Sequence, residues 1–433
     1  MPQITPFRGV VYNTKKVGDL SAVVAPPYDV IPKKQQEELY RASPYNIVRV
    51  ELGKIKPSDT ASDNRYTRAK RFFDSWLEAG VMVRDDKEAL YIYSQRYKQN
   101  GKAMERIGFF GLMGLDAGKG KKVLPHENTL AAPKVDRLDL MRSVRANLSP
   151  IYVLYDDEAH RVAKILKEAC RRTKPFMDIH FEGIRNMAWR LNDPKAIRKI
   201  GSVISKKDIF IADGHHRYET ARMYSKELAN AAAGNHVPES LKKASRRLMV
   251  YFVASDEKML TVLPAHRLAK DIGALTKDEI TARLGQYFHI KKAAGLKTMM
   301  ASITRLKEKH AFGMYLGGNR FYILVLKDVR ESDRAIKDKS RDWKRLDVAM
   351  LHLFIFQHIL RIKDSDENIE FVKSPEETAK LVDTGEFKAA FFLNPTKVAQ
   401  VKRIAKLGEK MPRKATYFYP KPISGVVINP LSN

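Results

Sequence analysis

The ten residues from Ile209 to Tyr218 constrain the fold of this chain more than any other stretch. An apolar, strand-forming run (Ile209, Phe210, Ile211, Ala212) stops at Asp213-Gly214, and a helical pattern continues at once through Glu219–Tyr224. Strand, turn and helix start therefore follow within a few residues, and the helix N-terminus faces a point beyond the strand end. Such a terminus has unpaired N–H donors and a positive partial charge, so it favours an anion. Gly214 suits a tight turn or a close backbone approach to a ligand, and Arg217 adds a planar donor fork that matches phosphate oxygens. Position alone is equally compatible with a charged structural turn. The adjacent His215 and His216, with Arg217 beside them, favour a phosphate site.

A chain of 433 residues is too long for one ordinary core, so two or three domains are expected. Hydrophobic content of 44% and charged content of 30% fit a soluble globular protein. No apolar run approaches the ~18–20 residues of a membrane span. The opening Met1–Arg8 lacks the basic and then apolar layout of a signal peptide. The one cysteine, Cys170, excludes an internal disulfide and a cysteine metal cluster; it falls in the helical pattern Val162, Ile165, Leu166, Ala169 as a small buried hydrophobe. A cytoplasmic location is the expectation. The net charge of +29 points toward nucleic acid. Basic residues are nevertheless spread along the whole chain, with only short clusters at Lys119–Lys122 and Lys242–Arg247 and no basic tail. A solvated basic surface that also draws in polyanionic substrates is preferred over dedicated nucleic-acid binding.

Three regions follow from the local patterns. The N-terminal region, 1–120, reads as mixed α/β. It has a rigid extended turn at Ala25–Pro32, a half-buried strand at Ile47–Leu52, and a helix between Ser62 and Gly80. A hairpin follows, Ala89–Tyr97 against Ile107–Leu115 around Asn100-Gly101. The core, 121–230, has a helix at Asp136–Asn147 and a strand at Pro150–Tyr155. An inserted helical hairpin then covers about 157–207, with a strand-like element at Asp178–Phe181. The C-terminal α/β region, 231–433, has strands at Met249–Ala254, Leu260–Leu263, Arg320–Leu326 and Ala389–Leu393, and helices at Lys277–Tyr287, Leu296–Leu306 and Leu346–Leu360.

A second segment can carry chemistry. In Pro125-His126-Glu127 a carboxylate beside an imidazole, in a turn before a helix, can act as a general base or be a simple helix-start carboxylate. Asp29, Asn46 and Arg49 would border the pocket if the N-terminal region folds over it. His266-Arg267 follows a strand and could reach a phosphate, with a structural turn the plainer alternative. His352 and His358 lie in an apolar helix as core or interface histidines, and Tyr417, Tyr419 and Lys421 either close a site or pack. No His, Asp or Glu spacing argues for a fixed structural metal, and the metal ligands stay open.

Pro-His-Glu, a helix, Ser149-Pro150-Ile151, a strand and then Asp213–Arg217 form an order that resembles the ParB/sulfiredoxin-like superfamily. The motifs resemble most closely its free serine kinase branch. Over almost the full length the chain is similar to the bacterial and archaeal family known as domain of unknown function 1015. The segments Val24–Val30, Ser43–Asn46, Leu124–Glu127, Ile211–Ala221 and Tyr417–Lys421 carry that likeness. The resemblance implies a mixed α/β fold: a ParB/sulfiredoxin-like core with a helical insertion, flanked by N- and C-terminal α/β regions. It implies phosphoryl transfer to a small hydroxy amino acid, free L-serine giving O-phosphoserine, with ATP, ADP or pyrophosphate as donor and Mg²⁺ as cofactor. Glu127 would be the base, and Asp213 would hold the substrate amino group or orient its hydroxyl. Gly214, His215, His216 and Arg217 would grip the phosphoryl group and its donor. His126, Asn46 and Arg49 would complete the substrate pocket. Sulfiredoxin chemistry is disfavoured because His215 stands where that branch needs cysteine. DNA partitioning is disfavoured because no helix-turn-helix pattern follows Tyr224. Two alternatives remain: a phosphoserine phosphatase using the same groups, and a nucleotide-dependent nucleic-acid-binding or regulatory protein.

Overall fold

Residues 90–114 form the spine of the larger sheet. Leu90–Gln99 and Lys102–Gly114 pair antiparallel from Tyr91 opposite Phe110 out to Gln99 opposite Lys102. Gly101 takes φ 75° in the turn between them, as the Asn-Gly signal requires; Asn100 itself lies outside the described residues. The computed structural model describes residues 3–99, 101–115, 123–231, 237–256, 260–365 and 367–431. The basic run Lys119–Lys122 also lies outside them. The chain is mixed α/β and divides into two compact units. The first comprises Met1–Pro125, Thr129–Thr261 and Pro420–Asn433, and the second His126–Asn128 and Val262–Tyr419. The borders drawn from sequence near 120 and 230 fall inside the first.

In the first unit, the described residues give a nine-stranded sheet. Its order is Val123–Leu124, Ile209–Asp213, Ile151–Tyr155, Arg247–Ala254, Lys102–Gly114, Leu90–Gln99, Ile184–Leu191 and Met177–Phe181, with Ile4–Thr5 also pairing on Lys102–Gly114. Side chains of a strand alternate between faces. One face presents Ile107, Phe109, Ile151, Val153, Ile209, Ile211, Val250 and Phe252 to the helices Arg161–Arg172 and Pro194–Ile204, which answer with Val162, Leu166, Ile200 and Ile204. The opposite parity carries Tyr93, Phe110, Tyr152 and Tyr251 in mutual ring contact, with the buried Arg106 among them. A separate cluster joins Val10, Val23, Ile47, Phe73 and Trp76 to Leu140, Val144 and Ile428.

Two expectations are corrected. Ile47–Leu52 is not a strand; Val48–Glu51 is a helical turn, started by the Val48 N–H donating to Asn46 Oδ1. Ile47, Val48, Val50 and Glu51 are all buried, so no solvent face existed for an alternating pattern to mark. The insertion is not a purely helical hairpin either. Between its two helices Met177–Phe181 and Ile184–Leu191 pair and extend the sheet. The two-residue loop Glu182-Gly183 has positive φ at both positions, 48° and 75°, as a primed hairpin turn demands.

In the second unit an antiparallel sheet runs Phe288–Ala293, Phe321–Leu326, Ala311–Tyr315, Ala389–Phe392, His266–Ala269 and Ile369–Val372. Helices Lys277–Tyr287 and Leu296–Arg305 stand where the sequence pattern sets them. The apolar stretch expected as a helix over Leu346–Leu360 is a short α-helical start, Asp347–Ala349, that widens into a π-helix, Met350–Leu360. Phe354, Ile355 and Phe356 from it pack into the sheet's core. Among the described residues no helix is long and apolar enough to cross a membrane.

Candidate active site

The Asp-Gly turn forms as the sequence pattern indicates. Ile209–Asp213 is a strand buried up to Ala212, and a register irregularity between Ile211 and Asp213 brings Asp213 opposite Tyr152. Gly214 takes φ 90° and precedes the fifteen-residue helix His215–Ala229. A Cβ at Gly214 would stand 3.1 Å from both Nε and Nη2 of Arg217, so glycine is needed for conformation and for space. As N-cap it offers no side chain to the first N–H groups of the helix.

Arg217 folds back over this turn. Its Nη2 donates to Asp213 Oδ2 at 2.6 Å, and its Nη1 donates to the Pro150 carbonyl. Burial opposes its charge, yet Asp213 and Asp29 hold it above the usual arginine range. The other Asp213 oxygen meets Lys421, whose Nζ lies 2.6 Å from Asp213 Oδ1 and 2.7 Å from Asp29 Oδ2. Burial again opposes the charge and the two carboxylates overcome it, lifting the Lys421 ammonium well above its ordinary value. Lys421 is held from its backbone. The Pro420 carbonyl accepts from buried Arg106, and the Lys421 carbonyl accepts from Gln95 Nε2 at 3.1 Å. Arg106 also donates to Gln95 Oε1 and to the Tyr152 hydroxyl, and Gln95 donates to Asn186 Oδ1. Tyr28 lies under Arg137, 4.0 Å from guanidinium carbon to ring centre. Burial raises its phenol, with Arg217 and Arg137 pulling the other way.

His215, the first helical residue, is buried. His216 Nε2 accepts the Leu130 N–H at 3.0 Å, so a neutral ring there carries its proton on Nδ1. The structure thus gathers Asp213, Gly214 and Arg217, with His215 and His216 opening the helix. Asn46 and Arg49 are tied into the N-terminal segment: Asn46 Nδ2 donates to the Ala22 and Val24 carbonyls, and Arg49 donates to the Tyr40 and Ser43 carbonyls. His126 and Glu127 belong to the second unit, while Pro125 belongs to the first. The buried His126 Nε2 lies 3.1 Å from Thr416 Oγ1, and its carbonyl accepts from Met411 N–H. Glu127, partly exposed, has Oε1 4.0 Å from His126 Nε2. In that unit Arg267 is wholly inward, donating to His352 Nε2 and to the Ala265, Arg413 and Lys414 carbonyls, while His352 Nδ1 contacts Asp364 at 2.8 Å. Cys170 has its thiol pushed up to about 12 by burial, so it is no thiolate at neutral pH.

Sequence reasoning undervalued Lys421 and Asp29. They are 392 positions apart, and no local pattern links them. A lysine in a Tyr-Pro-Lys-Pro segment, where two prolines fix the backbone around it, was the available signal. A magnesium ion does not fit between Asp29 and Asp213 as the side chains stand, because the Lys421 ammonium already joins them. Among the described residues no group of three or more His, Cys, Asp or Glu could hold a metal ion.

Solved structures similar to this chain include a variant of free serine kinase in complex with AMP, at 12% identity over 74% of this chain and 91% of that one, TM-score 0.36. A conserved hypothetical protein from Pyrococcus furiosus is 13% identical over 72% and 91%, TM-score 0.34. SbnI with a C-terminal truncation, from Staphylococcus aureus, is 9% identical over 74% and 87%, TM-score 0.36. At TM-scores this low the likeness fixes neither chemistry nor ligand. No curated protein matches the sequence. The family described as "Protein of unknown function (DUF1015)" matches residues 4–349, most of the chain, and to that family the protein belongs.

Proposed function

We propose that the chain is a phosphotransferase acting on a small hydroxy amino acid, free L-serine giving O-phosphoserine, with ATP, ADP or pyrophosphate as donor. The observation that carries this reading is the Gly214 turn, where a fifteen-residue helix begins without a side-chain cap beside two cations, the buried Arg217 and the partly buried Lys421. Phosphoryl transfer asks a protein for positioning and for positive charge held ready around the transferred oxygens. Backbone N–H groups at the helix start, His215 and His216 would contact those oxygens. Asp213, with one oxygen on each cation, would keep Arg217 and Lys421 fixed in place rather than bind the amino group itself. Glu127 would take the proton of the serine hydroxyl as Oγ bonds to phosphorus and the donor oxygen leaves. Magnesium would arrive with the donor phosphates and shield their charge.

Incubation with L-serine, Mg²⁺ and each donor in turn should yield phosphoserine, followed by ³¹P resonance or mass. No product with any donor defeats the reading, and free phosphate from added phosphoserine would instead select the phosphatase direction. Glu127→Gln is expected to lower kcat by at least about 10²-fold, as loss of a general base does, with its folded spectrum intact; full activity in that variant would remove Glu127 from the mechanism.

A further inference from the structure

Arg217 has a second neighbour besides Asp213. A cavity of about 40 Å³ in the first unit is walled by Glu51, Arg137, Ser149, Arg217 and Thr220, with Leu148 among its apolar lining. That volume takes two or three water-sized groups, since one needs roughly 10–15 Å³. Glu51 is 3% exposed, and its Oε2 is buried without a hydrogen-bond partner. Arg137 does not satisfy it, because its Nη1 donates to the Glu51 backbone carbonyl and its other nitrogens reach Asp136. Arg217 feels the Glu51 charge but directs Nη1 and Nη2 to Pro150 and Asp213. A buried carboxylate that lines a small cavity and has an unpaired oxygen calls for a compact donor of several hydrogen bonds. Asp213, unlike Glu51, already has each oxygen on a cation.

We infer that this cavity is the ammonium subsite of the acceptor, with Glu51 accepting from the α-amino group and Ser149 and Thr220 offering hydroxyl oxygens beside it. The inference rests on the phosphotransferase reading and gives Glu51 the role of selecting hydroxy amino acids over hydroxy acids. An ammonium group is close to water in size and brings three donors, and its charge suits Glu51.

The test compares L-serine with 3-hydroxypropionate, which keeps hydroxyl and carboxylate and lacks the amine. Wild-type protein should prefer L-serine. Glu51→Gln should raise the KM for L-serine about tenfold or more, with kcat far less changed, and collapse the preference between the two acceptors. Glu51→Asp should recover part of that preference. An unchanged KM and preference in Glu51→Gln overturns the inference and leaves the phosphotransferase reading standing. If wild-type protein makes no phosphoserine, that reading falls. Calorimetry then decides the subsite: L-serine binding that Glu51→Gln abolishes supports it, and equal binding or none overturns it. Should Glu51→Gln not fold, Ser149→Val, which fills the cavity from another wall, must give the same loss of L-serine affinity.

Discussion

At the scale of single residues, the turn at Gly214 is set by two demands that one residue type meets. Its φ of 90° disfavours any side chain, and the Arg217 guanidinium occupies the space a Cβ would need. Gly214→Ala is therefore expected to destabilise the first unit by about 1–3 kcal/mol, read as a drop in denaturation midpoint. An unchanged midpoint would mean that the turn relaxes freely. Lys421 gives a sharper expectation. Replacing it with Met removes the cation shared by Asp29 and Asp213 and leaves the largely buried Asp213 one partner short, which costs about 1–3 kcal/mol. On the Lys421→Met background, Asp29→Asn should cost less than it does alone, because Asp29 has already lost its partner. Additive effects would show that the contact contributes nothing of its own.

At the scale of elements, legibility followed the number of faces a segment exposes. The hairpin of residues 90–114 and the helix Arg65–Glu78 were plain because turn and cap residues announce them. Asn64 accepts from Tyr66 and Thr67 N–H groups while Thr67 Oγ1 accepts from Asn64 N–H, and Asn64→Ala should cost about 1 kcal/mol in urea unfolding. Ile47–Leu52 misled because buried residues fall in both of its alternating sets. Ile184–Leu191 was missed for a related reason: Asn186, Met187, Ala188 and Trp189 are consecutive and all buried. The Asp213-Gly214 turn could be read locally, since strand, glycine and helix adjoin. The pairing of Lys421 with Asp29 and Asp213 could not, because packing across hundreds of residues joins them.

At the scale of the whole molecule, the +29 charge does not describe the candidate site. At its turn Asp29 and Asp213 stand against Arg217 and Lys421, two charges of each sign. The second unit carries a distinct liability in acid. Burial first, and then Arg267, push the His266 imidazole down to about 3. Its Nδ1 accepts the Leu393 N–H, so protonation would set donor against donor. The unfolded chain takes up this proton below pH about 6.5 while the folded chain resists until about 3, so stability falls as pH drops through that window, by up to about 5 kcal/mol. Thermal midpoints measured from pH 7 to 4 should decline, and less steeply in His266→Asn, which keeps an acceptor for Leu393 but cannot be protonated. Equal slopes would place the acid sensitivity elsewhere.

The segment that brings Lys421 to Asp29 also fixes when the first unit can finish forming. Ser424 bridges Ala25, Ile428 bridges Val10, and Asn429 pairs with Asn147. During synthesis the N-terminal half must wait, its slots unfilled, until these late residues leave the ribosome. A nascent chain halted before residue 420 would hold every other group of the candidate site and still lack the cation that locks Asp213, so premature termination would leave that site unassembled.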